Sequence, residues 1–144
     1  MYDSDFNRPL SVNNINEIGH LGNLFYYKKL NEKLEQDVGD FLRKNTVSPS
    51  LYSNDIRHQY VSALYTRNLG ANWAALLGEI NEIFDFNMSG RNDTLTDRFN
   101  NNLGIEYGIN YPNLPKNDLL QMLLNDFEKN KSLRLKNIDI KRKK

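Results

Sequence analysis

Gly70 separates two runs of helical periodicity with almost no chain to spare between them, and it constrains the fold more than any other feature of the sequence. Before it, Ile56, Tyr60, Ala63 and Leu64 recur at spacings that place them on one helix face; after it, Trp73, Leu76, Leu77, Ile80, Ile83 and Phe84 do the same. Ser53 and Asn54 suit an N-cap, Asp55 puts negative charge at the positive end of the helix dipole, and glycine suits the stop. Two helices joined so tightly are expected to lie antiparallel, making a central pair over residues 54–86.

Residues equally far from the turn then stand at one height, which brings Arg57 and His58 level with Asn81, Glu82 and Asp85. Ala74, Gly78, Asn81 and Asp85 fall on one narrow strip of the second helix, small enough for close approach. Arg57 projects within the apolar arc of the first helix, between Val61 and Leu64. A guanidinium there needs a partner, and Glu82 or Asp85 is the expected one.

The rest of the chain builds around this pair. Residues 1–20 are polar and Asn-rich, contain Pro9 and show no sustained period, so they read as an extended arm. From Leu21 to Lys44, Tyr27, Leu30, Leu34, Val38 and Phe41 form one helical stripe. Residues 87–93 carry a loop signature, and a short helix is expected over 94–104, with Thr94 and Asp97 as a capping box and Gly104 as its end. On that helix Asp97, Asn100 and Asn101 share a polar face while Leu95, Phe99 and Leu103 make the apolar one. Ile105, Tyr107, Ile109 and Tyr111 alternate, predicting a short strand before Pro112. Leu119, Leu120, Leu123, Leu124 and Phe127 predict a further helix over 117–129, and Leu133, Leu135, Ile138 and Ile140 alternate in a final extended segment. The expected fold is mainly α: an extended arm at 1–20, a helical domain at 21–130, and an extended basic tail at 131–144, with one short strand pair as an option for the extended segments.

Composition excludes several classes of protein. At 144 residues the chain suits one domain. No apolar run approaches the roughly 20 residues of a membrane span, and the N-terminal stretch lacks the basic start and apolar core of a secretory signal. With no cysteine, disulfides and thiolate metal ligands are ruled out, and a reducing cytoplasm fits. The net charge of +1 gives no field of the kind nucleic-acid binders carry. The exception is local: Lys136, Lys141, Arg142, Lys143 and Lys144 oppose one Asp139, a tail able to make weak phosphate contact or to stand as a solvated terminus. His20, in the Gly-rich stretch Ile18-Gly19-His20-Leu21-Gly22, reads as a loop residue without a role.

In order along the chain stand Asp55-x-Arg57-His58, Gly70, Ala74, Gly78-x-x-Asn81-Glu82 and Asp97-x-x-Asn100-Asn101-x-x-Gly104. This series resembles an uncharacterised helical domain of bacterial toxin-like and wall-associated proteins and of phages, over residues 55–104. The resemblance implies an Arg-His pair, a His-Glu pair where this chain has Asn81-Glu82, and an Asp-x-x-Asn-Asn segment. It supplies positions and no chemistry. Asn81 departs from the pattern, and an amide is a poor metal ligand where neutral imidazole is a common one.

Three readings of the cluster follow. In the first it is structural: Arg57 pairs with Glu82, and Asn81, Asn100 and Asn101 satisfy buried groups and fix helix register. In the second, His58 is a general acid or base with Glu82 and Asp97, while Arg57, Asn100 and Asn101 bind an anionic or glycan-like group, as in a hydrolase of peptidoglycan-type envelope material. In the third, His58, Glu82 and Asp97 hold a divalent metal, which the absent second histidine weakens most. The sequence favours the first, with no cofactor or metal. Together with the resemblance, this implies a phage structural protein made in the host cytoplasm and carried in the virion, held through its two arms by other virion proteins or copies of itself. The alternative is the envelope hydrolase, so enzymatic activity stays open on sequence alone.

Overall fold

The structure is a computed structural model; its backbone is described for residues 21–45, 49–89 and 91–143, and its side chains for residues 26–45, 54–80 and 95–129. The described residues form five helices: α1 (Leu21–Lys44), α2 (Pro49–Leu69), α3 (Ala71–Ser89), α4 (Arg91–Asn110) and α5 (Lys116–Lys143). The fold is mainly α, as expected. The arm at 1–20 lies outside the described residues.

α2 is the hub, packed by the other four helices. Its stripe of Ile56, Tyr60, Ala63 and Leu64 is fully buried, and Gln59, Ser62 and Thr66 on its polar side and Asn68 one turn past Leu64 are buried too. Burial on all sides is tolerated because these polar groups find partners: the Thr66 hydroxyl and the Asn68 amide each donate to the carbonyl one turn back, at Ser62 and Leu64. α1 contributes Tyr27, Leu30, Leu34, Val38 and Leu42 to the core, and α5 contributes Leu119, Leu120, Leu123, Leu124 and Phe127. α3 adds Trp73, Ala74 and Leu77, while Leu76, expected on the apolar face, is exposed.

Gly70 joins α2 to α3 with a φ of 98°, a left-handed conformation that side chains other than glycine resist. Its N–H donates to the Thr66 carbonyl, ending α2, and its carbonyl accepts from Ala74 N–H, starting α3. One residue thus caps two helices.

Several boundaries differ from expectation. α2 begins at Pro49 and not at the Ser53-Asn54 cap, because proline is pre-shaped for the first helical position, where its missing N–H costs nothing. No strand occurs among the described residues: residues 105–110 belong to α4, which runs through Gly104 to Asn110 and stops ahead of Pro112. The backbone of 131–143 likewise continues α5 where an extended tail is expected; its leucines, lysines and arginines are strong helix formers, and its alternation is short.

α4 also faces the opposite way from its apolar pattern. Asp97, Asn100 and Asn101 are buried, while Leu95, Phe99 and Ile109 are 55%, 41% and 58% exposed. The cause lies in two glycines one turn apart on the polar face. A Cβ on Gly104 would overlap the Gln59 carbonyl oxygen, and one on Gly108 would stand 2.6 Å from the Ala63 carbonyl oxygen. Bare backbone at both positions lets α4 lie directly on α2 with its small, polar side inward. Contacts advance in the same sense along both helices, from Asp55–Asn100 to Ala63–Gly108, so α2 and α4 run parallel.

Candidate functional site

The polar residues singled out from sequence meet at this α2–α4 seam. Asn100, with no exposed surface, sits at its centre: its Oδ1 accepts from Gln59 Nε2 at 2.8 Å, and its Nδ2 donates to Asp55 Oδ1 at 2.8 Å and to the Thr96 carbonyl at 3.1 Å. Both ends of this amide are thereby satisfied, and exchange for an apolar residue would remove its bonds to Gln59 and Asp55 on α2.

His58 lies one turn along. Its Nδ1 is 2.9 Å from Asn101 Oδ1, and its Nε2 is 3.2 Å from Asp97 Oδ1. Asn101 Oδ1 also accepts the Ser62 hydroxyl at 3.2 Å, and Asp97 Oδ1 accepts Asn54 Nδ2 at 3.0 Å. The Asn101 amide nitrogen points to α3, where it would be 3.1 Å from a Cβ on Gly78. Gly78, on the small-residue strip read from sequence, therefore makes room for an α4 side chain.

Arg57 is partly buried, and its Nη2 donates to Asn54 Oδ1 at 3.3 Å. Its Nε is buried with no hydrogen-bond partner among the described residues. The proposed counter-charges, Glu82 and Asp85, and the amide of Asn81 have side chains outside the described residues, although α3 itself runs through all three positions. The Arg57–Glu82 pair lies outside them for the same reason.

Between α1, α2, α3 and α4 the cluster leaves a cavity of about 20 Å³, bordered by Asn31, Glu35, Arg57, His58, Ser62 and Asn101 among others. That volume suits a single water, whereas pockets for sugars or drug-sized ligands span roughly 300–1,000 Å³. Tyr65 closes one side, its hydroxyl donating to Asn31 Oδ1, and burial followed by the nearby Tyr27, Glu35 and Tyr26 raises its phenol well above the ordinary range. Among the described residues no cluster of His, Cys, Asp and Glu is arranged to hold a metal ion.

No family model, curated protein or solved structure matches this chain.

Sequence reading put Arg57 and His58 across from Asn81 and Glu82 with Asp97, Asn100 and Asn101 nearby; the structure joins His58 to Asp97 and Asn101, and Asn100 to Gln59 and Asp55, along the same seam. Missed from sequence were Gln59, Ser62, Asn31 and Glu35. Their signal was available in part, since Asp55, Gln59, Ser62 and Thr66 form a polar stripe at helical spacing on the side of α2 away from its apolar one.

Proposed function

We propose that this chain is a structural, interaction-type component of a phage particle, in which the polar seam fixes helix packing and the outer face of α4 engages a neighbour. The observation that carries the proposal is the inverted α4: Asp97, Asn100 and Asn101 are spent inside, while Leu95, Phe99 and Ile109 face outward. Exposed apolar side chains grouped on one helix face are a mark of association. In this reading α2 and α3 form an antiparallel pair turned at Gly70, and α4 is laid on it in fixed register. The chain is made in the host cytoplasm, and its arms and apolar face bind other particle proteins or further copies. Lys141, Arg142, Lys143 and Lys144 add weak, salt-sensitive contact with packaged nucleic acid.

The hydrolase alternative draws on the His58–Asp97 contact. A general base needs a lone pair directed at a substrate, yet both ring nitrogens of His58 already face protein oxygens, and the adjoining cavity has the volume of one water. Both features favour a structural role.

Mass spectrometry of particles purified from cells that carry the sequence tests the proposal. The chain should be present at stoichiometric level, and a Leu95→Glu/Phe99→Glu double variant should be lost from the particles while remaining folded. Clearance of a peptidoglycan suspension by the wild type, abolished by His58→Ala, would instead establish the hydrolase.

A further inference from the structure

We propose that His58 is a proton-controlled latch between α2 and α4, holding the seam closed while its ring carries two protons and loosening it when one is lost. The inference rests on the structural reading of the seam, and on the particle assignment only for what the seam serves.

The geometry is specific. Nδ1 faces Asn101 Oδ1 and Nε2 faces Asp97 Oδ1, at 2.9 and 3.2 Å. An amide oxygen and an ionised carboxylate can only accept, so both contacts are hydrogen bonds only in the imidazolium; a neutral ring has one N–H and must leave one oxygen facing a lone pair. The Asn101 oxygen accepts the Ser62 hydroxyl as well, which favours this orientation of the amide, while its nitrogen faces Gly78 of α3. Asp97 is 5% exposed, so little water is at hand to replace a lost donor.

The surrounding charges act in the same direction. Asp97 faces the ring from α4, Glu35 of α1 borders the same cavity, and Asp55 lies one turn before His58 on α2, against one adjacent cation among the described residues, Arg57. From α3 the cavity is bordered by Leu77 and Gly78; Glu79 is engaged by Arg98, and the side chains of Glu82 and Asp85 lie outside the described residues. Three carboxylates against one guanidinium favour the charged ring and oppose the burial that disfavours it, with His58 13% exposed. A histidine gaining such partners on folding holds its proton above the ordinary value of about 6.5. Its contribution to stability is complete below that ordinary value and is lost as pH rises through the folded-state midpoint. The seam is therefore tight in mildly acidic solution and loosens toward mildly alkaline pH, and with it the register of α4 and the placement of its outer face.

Nitrogen-detected NMR titration of the imidazole rings in the full chain tests the latch. There are two histidines, so a His20→Gln variant assigns the signals. Both His58 nitrogens should be protonated at pH 6.5, with a midpoint raised by at least about one pH unit, a tenfold gain in proton affinity. In parallel, wild-type stability in urea should fall from about pH 6.5 to 8.5, a decline that His58→Gln should lack. A neutral ring with one N–H at pH 6, or a midpoint at or below the ordinary value, overturns the proposal; because that measurement uses the wild type, it does not depend on the variant folding. A raised midpoint in a chain that particles do not incorporate would uphold the latch and sink the particle assignment.

Discussion

Gly104 of α4 rests on the backbone carbonyl of Gln59 in α2 so closely that a single added methyl group would overlap the oxygen. The obstacle is backbone, which cannot swing aside as a side chain can. Gly104→Ala should therefore destabilise the fold by more than about 2 kcal/mol, at or beyond the upper part of the usual overpacking range. Gly39 provides the contrast, since a Cβ there would meet only the Arg43 guanidinium at 3.5 Å. Gly39→Ala should stabilise α1 by about 0.5–1 kcal/mol through reduced freedom of the unfolded chain. Urea denaturation of the two variants reads both signs in one experiment, and equal effects would count against the close helix contact.

Asn100 makes a second, chemically distinct prediction. Its amide joins Gln59 and Asp55 across the seam and carries no exposed surface. Asn100→Ala removes the hydrogen bonds to the buried Gln59 amide and to the Asp55 carboxylate, which should cost about 2–4 kcal/mol. Asn100→Leu fills the space but loses the same two bonds, so restoring volume should recover little. Near-complete rescue by leucine in thermal melts would show that packing, and not hydrogen bonding, holds this part of the seam.

The contrast between α1 and α4 shows how much of the fold could be read from sequence. Tyr27, Leu30, Leu34 and Val38 identify the buried side of α1 because that helix meets the core through a single apolar stripe. The same rule applied to α4 selects Leu95, Phe99 and Leu103, and two of these three are exposed. α4 docks through glycine and amide positions, and their value depends on Gln59, Ala63 and Asp55 standing opposite, a property of the pair that one helix's periodicity cannot carry. Gly104 read as a stop for the same reason: local propensity disfavours glycine in a helix, while the tertiary contact requires it. At the site, the spacing of Asp97, Asn100 and Asn101 marked a shared face correctly, but which face was core, and that His58 would bridge two of them, followed only from helix docking.

Two tyrosines predict the alkaline behaviour. Burial, and then the hydrogen bond that Tyr107 donates to Asp126, hold its phenol far above the ordinary value of 10.0, and burial does the same for Tyr65. The folded chain keeps protons that the unfolded chain releases near pH 10, so stability should fall as pH rises past about 10. Ultraviolet titration of the eight tyrosines should show at least two ionising late. Asp126→Asn should bring Tyr107 back toward the ordinary range, and no change in that variant would remove Asp126 as a cause.

The outer face of α4 separates folding from association. Phe99 is 41% exposed and Leu95 55%, with the stabilising work of their helix done by Asn100, Gly104 and Gly108 on its other side. Exposed positions away from such features usually tolerate substitution within about 0.5 kcal/mol. Phe99→Glu should therefore leave the melting temperature nearly unchanged, whereas Leu64→Glu, at a position with no exposed surface on α2, should abolish folding by burying a carboxylate without a partner. Circular dichroism melts of the two variants make the comparison directly. If Phe99→Glu unfolds the chain as Leu64→Glu does, the α4 face is an inner surface of this fold, and its apolar side chains are not available to a partner.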